Sequence, residues 1–138
     1  MGLDMYVEVV KDKNFKGAVA APDNANENQE FHYWRKHPNL HGWMEKLYRS
    51  KGGNKDLFNC EYVELTKKDI EQLFKDIMKN KLPYTQGFFF GQDPSKEDLR
   101  DYVDQLIEDL EFISKALAFF EEEEEHPEKE HLVYTSWW

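Results

Sequence analysis

One cysteine, Cys60, stands among 138 residues. A disulfide within the chain is therefore excluded, and so are zinc-ribbon and CxxC redox spacings. Proline and glycine are sparse, five and seven, and no apolar run approaches the length needed to cross a bilayer. The opening MGLDMYVEVV lacks the basic region and apolar stretch of a signal peptide. Tyr6 stands where a myristoylated Gly2 would want a following Ser or Thr. The expectation is a soluble, cytoplasmic protein with no membrane partner. Catalytic signatures are missing as well: the sequence holds no Walker lysine, nucleophile elbow, dinucleotide glycine pattern or Ser-His-Asp order. Positive charge is short, 18 Lys/Arg against 28 Asp/Glu for a net charge of −10. Nonspecific nucleic-acid binding, which works by neutralising phosphates, is thereby excluded, whereas a short nucleotide held in one basic pocket is not.

Aromatic residues make up 15% of the chain and hydrophobic residues 40%, too apolar for disorder and sufficient for one core. A single domain spanning 1–138 follows. The segment FHYWRKHPNLHGW, Phe31 to Trp43, concentrates rings, cations and histidines. From Phe31 to Lys55 there are six Lys/Arg and one Glu, against twelve and twenty-seven elsewhere. Such clustering costs self-repulsion, and it suits the holding of a flat, anionic ligand.

Leu3, Met5, Val7 and Val9 alternate with Asp4, Tyr6 and Glu8 in the period of a half-buried strand. Residues 11–30 read as a mobile loop. After Pro38 a helix is predicted with Leu40, Trp43, Met44, Leu47 and Tyr48 inward, Asn39 as N-cap and Gly52-Gly53 at its end. Cys60 to Leu65 is a short strand. Thr66 and Asp69 form an acidic capping box for a helix with Ile70, Leu73, Phe74, Ile77 and Met78 on one face, ending by Pro83. YTQGFFFG, 84–91, reads as a buried strand or a tight apolar loop. The longest helix is predicted over 95–122, with Leu99, Tyr102, Val103, Leu106, Ile107, Leu110, Ile113, Leu117 and Phe120 as its stripe. An acidic linker, 121–131, leads to a terminal strand in HLVYTSWW. The fold class is α+β: a small antiparallel sheet holding the N- and C-terminal strands, covered by about three helices.

The leading site constellation is Trp34, Arg35, Lys36, His37 and His41. Arg35 can pair bidentately with phosphate or carboxylate, and Lys36 adds a point charge. Tyr33, Trp34 and Trp43 offer faces for stacking. The competing reading makes the tryptophans core rings and the cations neutralisers of acidic helices. His37 and His41 have i, i+4 spacing, but Pro38 separates them, so no metal is assigned and no cofactor is expected. Asp4 and Tyr6 project from the non-core side of the first strand and meet Arg35 across a cleft, as general acid/base, as ligand donors, or as an Asp–Arg pair joining strand to helix. Gln86, just ahead of the glycine-flanked run Phe88-Phe89-Phe90, can read a polar edge. Cys60 reads as a buried structural thiol.

MGLDMYV, YWRKH-x-NLHGWMEKLY, FNCEYVELT, LPYTQGFFFG and a terminal aromatic-Ser-Trp together resemble a family of small uncharacterised proteins from tailed phages and bacteria. The sequence departs from the family pattern at Pro38 and in the acidic linker. The resemblance brings a context, the host-cell cytoplasm, and no mechanism. By analogy it suggests the sequestration of nucleotide signals in anti-defence. The expected function is thus binding of a small anionic, nucleotide-like ligand through Asp4, Tyr6, Trp34, Arg35, Lys36, His41 and Gln86. Two alternatives stand beside it. One is an enzyme on a small phosphorylated or nucleotide substrate with His41 or Asp4 as base. The other is an acidic module that binds a host protein or forms a homo-oligomer.

Overall fold

The strand alternation at the N-terminus builds the centre of the sheet. In the computed structural model, which describes residues 2–11, 14–23, 25–83, 85, 99–125 and 130–138 (side chains of 123–125 excepted), strand β1 spans Asp4–Val10. Leu3, Met5 and Val7 are fully buried on its inner side, whereas Asp4, Tyr6 and Glu8 face the other way. Next come β2, Gln29–Arg35, helix α1, Pro38–Ser50, and β3, Tyr62–Leu65. They are followed by α2, Lys67–Met78, α3, Leu99–Glu125, and β4, His131–Trp137. The four strands form one antiparallel sheet in the order β2-β1-β4-β3. The fold is α+β, as expected, with both terminal strands side by side at its centre.

Strand β2 is the element the sequence hides. It starts inside the expected loop and runs through the aromatic cluster. Its register passes from Val7↔His32 to Glu8↔Glu30, so Phe31 is the extra residue of a bulge. Freed from the ladder, Phe31 packs edge-on against Phe112 and Phe119 of α3. The preceding loop is tied down. Glu64 N–H donates to the Ala18 carbonyl at 2.7 Å, and Phe15 packs on His131.

Three helices cover the inner face. Helix α1 begins with Pro at its first position, where a missing N–H costs nothing. Its N-cap is His37 rather than Asn39: the His37 Nδ1 accepts from Leu40 N–H at 3.4 Å. The Asn39 side chain instead accepts from Thr85 N–H at 2.9 Å. Beyond the C-cap Lys51, Gly52 takes φ +103°, the conformation glycine adopts freely.

The capping box of α2 is present, Thr66 Oγ1 accepting from Asp69 N–H and Asp69 accepting in return from Thr66 N–H. Ile70, Leu73 and Ile77 are buried, but Phe74 and Met78 are exposed, because the apolar arc is wider than the surface that covers it. In α3 the same holds along the axis. Phe112, Ile113, Ala116 and Phe119 are buried, whereas Leu99, Tyr102, Val103 and Ile107 are exposed. The acidic run 121–125 continues this helix and shortens the expected linker. Cys60 is exposed, not buried, and precedes β3 with φ +61°. Among the described residues no helix is long and apolar enough to cross a membrane.

Candidate functional site

Antiparallel pairing places directly opposed residues on the same face, so the register defines what the outer side of the sheet displays. One row is Arg35–Asp4–Trp137; the next is Tyr33–Tyr6–Thr135–Tyr62; a third is Glu30–Glu8–Val133–Glu64. At the third row the loop closes over the sheet. Asn28 donates to the Glu8 carboxylate at 3.3 Å, and Val133 is 0% exposed. At the first row the face is open. There, a cleft of about 450 Å³ is lined by Gly2, Asp4, Tyr6, Trp137 and Trp138, within the size range of small-molecule sites.

The walls differ in rigidity. The Asn59 side chain holds Trp138 by both backbone groups, Oδ1 accepting from Trp138 N–H at 2.9 Å and Nδ2 donating to its carbonyl at 2.7 Å. The Trp138 indole N–H donates to the Phe58 carbonyl. Trp137, by contrast, is 71% exposed and presents a bare ring beside Asp4. On the other side of Asp4, Tyr33 Oη donates to Asp4 Oδ1 at 2.5 Å, and the Tyr6 and Tyr33 rings lie 5.2 Å apart. That hydrogen bond pushes the Tyr33 phenol up to about 12, with desolvation and the Asp4 charge adding to it. Burial, then Asp4, Glu30 and Glu8, raise Tyr6 as well. Both phenols therefore remain protonated donors at neutral pH.

Arg35 and Lys36 are exposed and form no ion pair or side-chain hydrogen bond among the described residues. Lys36 sits in the left-handed region at φ +57°, with its N–H on the Leu3 carbonyl at 2.9 Å. This turn carries both side chains over Gly2. A Cβ on Gly2 would stand 3.2 Å from Arg35 Nη2 and 3.5 Å from Lys36 Cε, so glycine leaves room for two cations at the rim. Charge is thus graded along the outer face, cationic at the open end and anionic towards Glu8, Glu30 and Glu64.

Of the residues expected in the site, Asp4, Tyr6, Arg35 and Lys36 converge here. Arg35 stands opposite Asp4 on the adjoining strand rather than facing it from a helix across a cleft, and Asp4 takes its hydrogen bond from Tyr33. Trp34 and His41 do not join them. Strand alternation turns Trp34 inward, 2% exposed, where its Nε1–H donates to Asp109 Oδ1 at 3.1 Å. His41 lies on the buried side of α1, its Nδ1 2.7 Å from Tyr134 Oη, and burial lowers it to about 4. Trp43 is also inside, donating to Asp76 Oδ2 at 2.8 Å. Gln86 lies outside the described residues. His37 serves the helix cap and the buried Asp109, at 2.8 Å. Among the described residues no three His, Cys, Asp or Glu side chains gather as metal ligands.

Trp137, Trp138 and Gly2 are site residues that sequence reasoning missed. Their only signal was the aromatic-rich terminus of a strand, and its pairing with β1 was not readable. The chain matches no protein-family model, no curated protein and no solved structure.

Proposed function

We propose that this chain binds a small anionic, nucleotide-like ligand at the open end of the outer sheet face, in the cytoplasm and without turning it over. One observation carries the reading. In a chain of net charge −10, Arg35 and Lys36 stand exposed and unpaired among the described residues, at the rim of a cleft walled by Tyr6, Trp137 and Trp138. A guanidinium left without a carboxylate is available for a phosphate, which it binds through two parallel N–H donors. The exposed Trp137 ring supplies stacking surface, a sequence-tolerant source of affinity for bases. The resemblance to phage proteins supports sequestration as the purpose of such binding. Catalysis through His41 is disfavoured by its burial against Tyr134 and Phe58.

The test is calorimetry with a panel of mononucleotides and cyclic dinucleotides. Saturable binding with unchanged ligand after long incubation is expected. Arg35→Ala removes a charge-assisted pair and weakens affinity on the order of a hundredfold. Undiminished affinity in a folded Arg35→Ala variant overturns the site.

A further inference from the structure

We infer that the solvent-facing side of α2 and α3 is a dimer interface, and that the partner it accepts is a second copy of this chain. The two helices pack against each other on the inner side of the sheet, away from the outer-face cleft. Both carry large apolar side chains that the core does not use. On α3, Leu99, Val103 and Ile107 recur every fourth residue, which aligns them along one side of the helix. They are 78%, 41% and 50% exposed. On α2, Phe74 and Met78 have the same spacing and are 41% and 59% exposed. Apolar groups gathered in rows on adjoining helices, rather than scattered singly, mark a surface that meets another.

The charges beside these rows specify the partner. Helix α2 and its C-cap carry Lys67, Lys68, Lys75 and Lys79 against Asp69, Glu71 and Asp76. Two of those acids are engaged within the chain, Asp69 by Lys51 and Asp76 by Trp43 and Gln72. The opening of α3, residues 99–111, instead holds five acids and one arginine. Lys75 lies one turn from Met78, and Lys79 one turn beyond Lys75; Asp104 and Glu111 lie one turn to either side of Ile107. All four are exposed.

The surface is therefore basic along one helix and acidic along the other, which makes it complementary to itself. A two-fold axis running along the helices sets α2 of one copy on α3 of the other, and does so twice. The apolar rows then meet in the middle, and each lysine border faces an acidic one. A partner of a single charge sign would match only one of the two helices. The cleft on the opposite side of the sheet stays open in such a dimer.

The experiment is analytical ultracentrifugation of the full chain over a concentration series, with circular dichroism to confirm folding. A monomer–dimer equilibrium is expected, with the dimer prevailing by about 0.1 mM. Met78→Glu puts an acid against the partner's acidic helix at two symmetry-related places. It weakens association by about a hundredfold or more. Lys75→Glu with Lys79→Glu, and Asp104→Lys with Glu111→Lys, each give a monomer, because like charges then meet at both borders. Mixed in equal amounts, these two double variants form a dimer containing one chain of each. A monomer throughout the series overturns the proposal and assigns the apolar rows to another segment of this chain or to a different protein. A dimer that survives in folded Met78→Glu overturns it, as does a mixture of folded double variants that stays monomeric. If a double variant does not fold, Met78→Glu decides alone.

Discussion

His37 Nε2 and Asp109 Oδ2 lie 2.8 Å apart inside the protein, joining the turn before α1 to the middle of α3. The other carboxylate oxygen accepts from the Trp34 indole, so a single buried acid, 4% exposed, ties β2, α1 and α3 together. The His37 Nδ1 is engaged by Leu40 N–H, which makes Nε2–H the donor to Asp109. This set of groups looks like a catalytic pair, but every atom in it has a structural partner.

Removing the Asp109 carboxylate leaves two donors buried without an acceptor. Asp109→Ala is expected to cost about 3–5 kcal/mol of stability, the usual consequence of breaking a buried pair from one side. Urea unfolding at pH 7 measures it. A loss below about 1 kcal/mol would show that water or another group replaces the acid.

Acid should unfold the protein earlier than its carboxylates alone require. Burial lowers His41 from 6.5 to about 4, and burial followed by the Lys115 charge does the same for His32. A histidine depressed in the folded state takes up its proton first in the unfolded chain. Its contribution is therefore complete above pH 6.5 and is lost as pH falls towards 4. For the buried His41 alone this amounts to about 3 kcal/mol. The urea midpoint should decline through this window, and less steeply in His41→Gln, once the variant's own loss at pH 8 is subtracted. A midpoint flat from pH 7 to 4.5 would rule the mechanism out.

Alkaline titration of the tyrosines reads the site without any ligand. Tyr33 should ionise near 12 because its phenol donates a hydrogen bond to Asp4, which favours the protonated form. In Asp4→Asn one tyrosine absorbance step should move down towards the ordinary value near 10. An unchanged titration curve would mean that the Tyr33–Asp4 hydrogen bond is not formed in solution.

Lys36 separates fold from function. Its φ of +57° costs an L-residue about 1 kcal/mol, and glycine takes this conformation freely. Lys36→Gly should therefore leave the thermal midpoint equal or higher while weakening mononucleotide binding and its dependence on salt. Unaltered affinity would remove Lys36 from the site.

Elements that local pattern specifies are legible in the residue order. The period of β1, the Thr66–Asp69 cap of α2, the stripe of α1 and the terminal strand all follow from spacing that neighbours in the chain impose on one another. Strand β2 is not legible in this way, because Phe31, His32, Tyr33 and Trp34 put rings on both faces and erase the polar–apolar alternation. Which of those rings is open depends on pairing with β1, a contact between distant parts of the chain. That pairing sends Trp34 to Asp109 and leaves Tyr33 beside Asp4. Asp109 itself resembles any other acid on a solvated helix until α3 is laid against the sheet. Residue order thus determined the α+β class, the single core and the concentration of cations in 31–55. Tertiary packing decided which of the aromatic and charged side chains reach solvent, since burial belongs to the meeting of two surfaces and neither surface carries it alone.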